Sequence, residues 1–304
     1  MTKIAEHDVP ALDVRWGRVP GVRFEQRYGG TVAVLEAAGG TAVVAIQGAQ
    51  VLSWKPAGHS DVLWLSPVAK LGTGKAVRGG IPVCWPWFGP HPTDATKPAH
   101  GVVRAATWRV IGSAASAGRA RLVLAFDTSS VETSLWPLRA VAEIEITVAE
   151  CLTVALTTEN KSAADIALTQ ALHTYLAVSD VGEVLVAGLD GRPYIDQLDV
   201  NARPVQGGSL AIDREIDRIY QDSPDEIVVT DRGVNREIRV AKSGSLSTVV
   251  WNPWIEKAAR LGDMGENGHR RMLCVETANA GANVMTLAPR ARHRLVTELS
   301  VKGI

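Results

Sequence analysis

The sequence contains few cysteines and no excess of charge of either sign. Its three cysteines, Cys84, Cys151 and Cys274, are widely separated. They show neither a disulfide framework nor a zinc-ligand spacing, and we expect reduced thiols packed in the core. Lys+Arg and Asp+Glu number 32 each, so no overall field favours nucleic acid or an anionic membrane surface. An anionic ligand would therefore have to be held by a local cluster.

Segments that direct a chain to a membrane are also missing. The N-terminus carries His7, Asp8 and Pro10 where a signal peptide needs a continuous apolar core, and no later stretch is apolar enough to span a bilayer. We therefore expect a cytosolic protein without a membrane partner. Since no Pro/Ser-rich linker or charge block divides the chain, residues 1–304 are predicted to form a single domain.

Long runs with a helical period are absent, and short β-rich runs take their place. The clearest is residues 143–156, where apolar and polar residues alternate on both sides of Ala149-Glu150. This alternation predicts a β-hairpin with one solvent-exposed face. Further strands are predicted at 31–35, 41–54, 121–126, 166–178, 226–230, 237–240, 247–251, 272–277, 283–287 and 293–301. Many short strands without intervening amphipathic helices favour an all-β fold, a large antiparallel sandwich or barrel.

The most loop-like segment, residues 79–101, is rich in aromatics and prolines. Aromatic faces suit the C–H faces of sugars, and Arg78, just before it, could grip a phosphate or carboxylate with two hydrogen bonds. The alternative is a hydrophobic plug with Arg78 in solvent. His100 and Arg104 lie four residues apart near the end of the segment and could face one ligand, although a loop histidine is often simply bonded to backbone.

Two apolar runs carry isolated polar side chains. The two-residue period of a strand places His173 and Tyr175 on one face, and directs Glu276 away from Val275 and Thr277. Such a glutamate is more often just solvated. Residues 72–75 do not complete a phosphate-binding loop, no Gly-x-Ser-x-Gly elbow is present, and the histidines lack the paired spacing of metalloproteases, so we predict no metal site.

Several of these segments together resemble the hexose-6-phosphate mutarotases (glucose-6-phosphate 1-epimerases) of the aldose 1-epimerase superfamily. The resemblance is carried, in the family's order, by residues 78–89, 98–104, 171–175, 215–220, 251–254 and 275–279. It implies a galactose-mutarotase-like β supersandwich with its site in a concave cleft. By motif position it implies that His173 is the general acid, Glu276 the general base, Asp217 and His100 contacts to sugar hydroxyls, and Arg78 and Arg104 a phosphate clamp.

The implied reaction suits these residue types. Opening the pyranose ring needs a base for the anomeric hydroxyl and an acid for the ring oxygen, and we expect these to act from opposite sides of the hemiacetal. Glutamate is ionised at neutral pH and histidine can donate a proton there. The reaction requires neither a metal nor another cofactor. Some relatives have Gln where this chain has Ala99, which puts one substrate contact in question; Asp263 is assigned no role.

Two other functions remain open on the sequence. An aldose 1-epimerase acting on free sugars would leave Arg78 and Arg104 merely structural, and a carbohydrate-binding or sensing protein would keep the cleft without turnover. The arginine pair argues against the first, and the His173 and Glu276 pair against the second. The expected partner is a phosphorylated hexose and not nucleic acid, and the chain is expected to be a monomer or weak dimer.

Overall fold

The computed structural model describes residues 7–199 and 201–304 and is dominated by antiparallel strands. Two α-helices, of eight residues each, are α1 (Val9–Trp16) and α2 (Trp254–Leu261). Short 3₁₀ turns cover Thr128–Ser130, Val181–Glu183, Arg232–Val234 and Gly268–Arg271. The strands are β1 (Val22–Arg27), β2 (Gly30–Ala37), β3 (Gly40–Ala45), β4 (Val51–Pro56), β5 (Val83–Cys84), β6 (Arg109–Ser116), β7 (Arg119–Asp127), β8 (Ala140–Val148), β9 (Leu152–Asn160), β10 (Ile166–Leu168), β11 (Gln170–Leu172), β12 (Tyr175–Ala177), β13 (Val184–Ala187), β14 (Tyr194–Asp196), β15 (Leu210–Ala211), β16 (Ile216–Tyr220), β17 (Ile227–Asp231), β18 (Arg236–Ser243), β19 (Ser247–Asn252), β20 (Met272–Asn279), β21 (Met285–Leu287) and β22 (Arg292–Gly303).

Two large sheets dominate the architecture. One has nine strands in the order β15-β13-β17-β18-β22-β9-β8-β7-β6, and the other has seven, in the order β14-β16-β19-β20-β11-β5 with β12 also pairing with β20. A four-stranded sheet, β1 to β4, and the pair β10-β21 complete the described strands. Several neighbouring strands of the seven-stranded sheet are far apart in sequence, so this sheet brings together residues from positions 83 to 279.

Side-chain alternation gives the seven-stranded sheet two different faces. Leu273 and Val275 of β20 belong to the largest apolar cluster, which also contains Ile144 and Leu156 from the nine-stranded sheet. The intervening residues, among them Glu276, point to the opposite face. Because β-strand side chains alternate, one face of this sheet closes the core while the other is left for polar groups.

The sequence-based fold class is confirmed. The hairpin predicted at 143–156 is β8 and β9, with Ile144 opposite Leu156 and Ile146 opposite Val154. Two predicted strands were too long: residues 41–54 contain β3, a turn and part of β4, and residues 166–178 contain the three short strands β10, β11 and β12.

Other differences concern helices and one cysteine. The two helices were not predicted, because about two turns are too short to display a convincing helical period. Cys84 and Cys274 are buried, but Cys151 is partly exposed in the turn between β8 and β9, so the expectation of three core thiols is wrong for Cys151. Neither helix in the described residues has the length and apolarity needed to cross a membrane.

Candidate active site

The six residues predicted as site residues meet at one cleft. His173, Glu276, Asp217, His100, Arg78 and Arg104 all line a cavity of about 280 Å³ on the polar face of the seven-stranded sheet. They come from β16, β20, the β11–β12 junction and the loops around β5. The same cavity is also lined by Phe88, Tyr175, Val249, Trp251, Lys257 and Leu261.

Strand register brings His173 and Glu276 together. Leu172 lies opposite Thr277, and Tyr175 lies opposite Cys274. If the same register continues between these two pairs, His173 lies directly across from Glu276. Side chains at directly opposite positions of antiparallel strands are close neighbours. The distance between His173 Nδ1 and Glu276 Oε1 is 3.4 Å. The two groups therefore lie side by side at the cleft floor and not across it, unlike the expected placement on opposite sides of the hemiacetal.

Burial shifts both members of this pair toward their neutral forms. The pKa of Glu276 is raised well above its ordinary value, first by burial and then by the nearby Asp217 charge, while Arg104 acts in the opposite direction. The pKa of His173 is lowered well below its ordinary value by burial, then by His100 and the two arginines. The simple expectation of an ionised glutamate beside a histidine of ordinary pKa therefore does not describe this pair.

His100 is held in one orientation by its own loop. Its backbone N–H donates to Gly89 O at 2.7 Å, and the Gly89 N–H donates to His100 Nδ1 at 3.2 Å. An accepting Nδ1 places the proton of the neutral ring on Nε2, which is left free to donate to a ligand. Burial, assisted by Arg104 and Arg78, lowers the pKa of His100 to about 3. The ring is thus a neutral hydrogen-bonding group at neutral pH.

The residue after His100 explains how that loop approaches the sheet. Gly101 bridges to Trp85 and has φ of +80°, in the left-handed region. A Cβ atom there would lie 1.9 Å from the Trp85 carbonyl oxygen. Only glycine permits this close approach, which sets the position of His100 at the cleft.

Arg78 is anchored by two partners. Its Nε donates to Asp263 Oδ1 at 2.9 Å, and its Nη1 donates to Tyr175 Oη at 3.2 Å. Burial by itself opposes the charge, but Tyr175 and Asp263 raise the pKa of Arg78 above its ordinary value. Guanidinium has five N–H donors, so three remain for a ligand. Asp263, which was assigned no role from sequence, thus holds one of the predicted clamp residues.

Arg104 is oriented by backbone. Its Nη2 donates to the carbonyl oxygen of Ala99 at 2.8 Å. This contact does not depend on the side chain at position 99, so the identity of residue 99 does not affect the anchor of Arg104. The half-buried Arg104 lines the cleft together with Arg78, and two fixed guanidinium groups on one cleft suit an anion.

A third cation, Lys257, lines the same cleft. Lys257 of α2 lies with its Nζ 2.9 Å from Glu215 Oε1 and 3.6 Å from Asp217 Oδ2. Burial raises the pKa of Asp217, and Lys257 acts against this shift. Asp217 therefore faces the cleft as an oriented carboxyl group beside a positive charge.

The aromatic residues that line the cleft are only partly those that the sequence predicted. Of the aromatics in residues 78–89, Phe88 lines the cleft, whereas Trp85 and Trp87 are buried in the interior. Tyr175 stacks on His173 with ring centroids 4.8 Å apart, and Trp251 meets the His173 ring edge-on at 6.1 Å. The cleft thus combines ring faces with hydrogen-bonding groups, the combination that sugar binding requires.

Comparison with known proteins shows which family the chain belongs to. The family model described as "Aldose 1-epimerase" matches residues 31–300. The chain belongs to the aldose 1-epimerase family. The named reaction of that family is the interconversion of sugar anomers, and the protein is an isomerase of this type.

Individual relatives agree with the family assignment. An Escherichia coli (strain K12) protein named "Putative glucose-6-phosphate 1-epimerase" is 35% identical over 250 residues, covering 82% of this chain and 83% of the relative. The crystal structure of a "putative mutarotase" from Salmonella typhimurium has a TM-score of 0.87 and 30% identity, and covers 94% of this chain and 95% of that one. A galactose mutarotase-like protein from Clostridium acetobutylicum, with a TM-score of 0.74, 14% identity and coverage of 93% and 98%, shares the fold.

Sequence reasoning about this aldose 1-epimerase family member missed four cleft residues. Lys257 and Leu261 lie one helical turn apart on α2, and both line the cleft; their spacing of four was a signal, but only once a helix was expected there. Val249 and Trp251 lie two apart on β19, so the strand period could have placed them on the same face. Nothing local distinguished that face from the core.

Proposed function

We propose that the protein interconverts the α and β anomers of a hexose 6-phosphate, with Glu276 as general base and His173 as general acid. The observation that carries the proposal is the adjacent His173 and Glu276 pair at the floor of a cleft that also presents two anchored arginines. The names of the relatives, which specify glucose 6-phosphate, support this substrate class.

The proton transfers balance over one cycle. The Glu276 carboxylate takes the proton of the anomeric hydroxyl, the bond from C1 to the ring oxygen breaks, and His173 protonates the ring oxygen. Rotation about the C1–C2 bond then presents the other carbonyl face. On reclosure the ring oxygen attacks C1, His173 recovers its proton, and Glu276 returns one to the anomeric oxygen, so that both groups end as they began.

The adjacent placement of the pair serves this cycle. Both reacting oxygens are bonded to the same carbon, so a base and an acid that are neighbours can reach both. Ring opening converts a charged pair into a neutral pair with the same total number of protons. Burial favours the neutral forms of Glu276 and His173, and therefore stabilises the pair while the substrate is open.

The other cleft residues receive supporting roles. Arg78 and Arg104 bind the phosphate through charge-assisted hydrogen bonds, which are stronger than neutral ones. His100, with Nε2 free to donate, and Asp217 contact sugar hydroxyls. Trp251 and Phe88 pack against the ring carbons. The phosphate, bound away from the reacting carbon, holds the substrate in place during C1–C2 rotation.

A binding protein without turnover fits the pair less well. Within the described residues, His173 Nδ1 and Glu276 Oε2 are buried without a hydrogen-bond partner. Such groups cost folding free energy, and perturbed buried acid–base pairs are typical of catalytic sites. A protein that only bound sugar would gain nothing from this cost.

The free-sugar alternative has one observation in its favour. Arg78 is already paired with Asp263, as a purely structural arginine would be. Exchange NMR on glucose 6-phosphate and on free glucose, with chelator present, separates the two substrate classes. We expect faster anomer exchange for the phosphate ester. Acceleration of glucose alone would keep the acid–base pair and reject the clamp. If neither is accelerated, galactose and mannose phosphates are tested next, and inactivity on every hexose phosphate would reject the proposed function.

The Asp263 contact leads to a separate prediction. Asp263→Ala removes the acceptor that orients Arg78, so KM for the phosphate ester should rise by about two- to fivefold, in the range expected for a partly exposed ion pair. We expect kcat to change less than about twofold. Steady-state kinetics on both substrates, with exposed Asp165→Ala as the matched control, measures this. A lower KM would instead mean that Asp263 competes with the phosphate for Arg78.

A further inference from the structure

Three side chains of metal-ligand type meet at the cleft floor. The ligand atoms of His173, Cys274 and Glu276 all lie within 4.8 Å of one another. Cys274 and Glu276 are two apart on β20 and so point to the same face, and His173 approaches from the neighbouring strand segment. In the part of the chain that the structure describes, no other trio of His, Cys, Asp or Glu side chains is grouped in this way.

Two of the possible ligand atoms in this trio have no hydrogen-bond partner in the described part of the chain. His173 Nδ1 and Glu276 Oε2 are buried and have no hydrogen-bond partner among the described residues. Their side chains are only 10% and 1% exposed, and Cys274 is a fully buried free thiol. Buried polar atoms are normally paired, so two unpaired atoms beside a thiol point to a missing ligand.

The three ligand types of this trio favour some metal ions over others. One nitrogen, one sulfur and one oxygen donor suit zinc, whereas calcium and magnesium prefer oxygen ligands alone. His173 Nδ1 and Glu276 Oε1 are 3.4 Å apart. This is close to the roughly 3.3 Å that separates a nitrogen and an oxygen bound to the same tetrahedral zinc ion. Three protein ligands would leave a fourth position that a water molecule could fill, as in open zinc sites.

We propose that His173, Cys274 and Glu276 form a binding site for a zinc-like divalent ion, and that occupancy of this site inhibits the isomerase. The inhibitory effect rests on the proposed function, because two of the ligands are its acid and base. A bound ion takes the His173 lone pair and the Glu276 carboxylate, so neither can exchange a proton with substrate. The Cys274 proton is released to solvent, and the ion keeps its oxidation state.

This site differs from the sequence-based expectation of no metal site. That expectation rested on histidine spacing, which cannot detect a trio assembled from one His, one Cys and one Glu on two strand segments. His173 and Glu276 line the cleft, so an ion can enter by the same route as the sugar. Sugar and ion should therefore exclude each other.

Binding can be tested without any measurement of turnover. Chelator-treated full-length protein is titrated with Co²⁺, which follows zinc in its ligand preferences and gives a near-ultraviolet charge-transfer band when bound by thiolate. We expect the band in the unaltered protein and in Cys84→Ala, which removes another buried thiol. Cys274→Ala should lack it. Cys274→Ser, the closest isostere, gives the same test if the alanine variant folds poorly.

Inhibition is measured separately by anomer exchange with increasing Zn²⁺. The unaltered protein and Cys84→Ala should be inhibited and should recover on addition of EDTA. Cys274→Ala should keep its activity without metal and need at least about tenfold more Zn²⁺ for inhibition. A Co²⁺ band that persists in both Cys274 variants, or its absence from the unaltered protein, overturns the proposal. A Cys274-dependent band in a protein inactive on every hexose phosphate would instead reject the proposed function and leave the metal site standing.

Discussion

Replacing Glu276 with glutamine should lower kcat for hexose 6-phosphate by about 10³-fold, within the range usual for loss of a general base. Glutamine has nearly the same shape but cannot accept the anomeric proton. Substrate affinity should change little, because the phosphate and ring contacts lie on other residues. Exchange NMR at saturating substrate and a binding isotherm measure the two effects. Wild-type turnover in this variant would remove Glu276 from the mechanism.

The same substitution should make the protein more stable at neutral pH. The folded-state pKa of Glu276 lies above its ordinary value, so the unfolded state loses this proton first, and stability falls as pH rises from about 4.3 through the folded-state pKa. Glutamine does not ionise, and each pKa unit of the shift corresponds to about 1.4 kcal/mol. At pH 7 the melting temperature of Glu276→Gln should rise by a few degrees, and that of the exposed control Glu143→Gln should not change. This result would show that Glu276→Gln loses activity without losing its fold.

Arg104→Ala should raise KM for the phosphate ester by about 10- to 100-fold, which corresponds to the loss of one charge-assisted hydrogen bond. KM for free glucose should stay within about twofold. The reason is that Arg104 is anchored on the Ala99 carbonyl and faces the cleft, where we place the phosphate. Steady-state anomer exchange on both substrates gives the comparison.

Two further variants sharpen the Arg104 result. Arg104→Lys keeps the charge but loses the planar donor pair, so only partial recovery of KM is expected if binding is bidentate. Arg139→Ala removes an exposed arginine outside the cleft and controls for net charge. Equal loss for the phosphate ester and for free glucose would show that Arg104 supports the cleft and does not bind phosphate.

Much of this molecule could be predicted from local pattern. Alternation at 143–156 was sufficient for the hairpin, because the two-residue period and the turn are both local properties. The same period correctly placed His173 and Tyr175 on one face. Local composition suggested that Arg78 could bind an anion and that Arg104 could face a ligand, but only the resemblance to a family paired them as a phosphate clamp, since a charged residue beside a loop has no distinctive local signal.

Other features depended on partners distant in sequence. The composition of residues 166–178 predicts one strand, but the stretch forms three short ones because its neighbours change from β21 to β5 and β20 and then to β20 and the segment around Leu63. Asp263 had no visible role because its partner, Arg78, lies 185 positions earlier. Lys257 required a helix too short to be recognised.

The sequence by itself determined the class of fold, the residue types available for acid–base chemistry and the family to which the chain belongs. These follow from periodicity and from ordered motifs, which are properties of the linear chain. Only the tertiary structure decided that His173 and Glu276 are direct cross-strand neighbours, that Cys274 lies beside them, and that burial drives the pair toward its neutral forms. The physical reason is that strand register and desolvation depend on which distant segments pair and pack, and neither is encoded in any one segment.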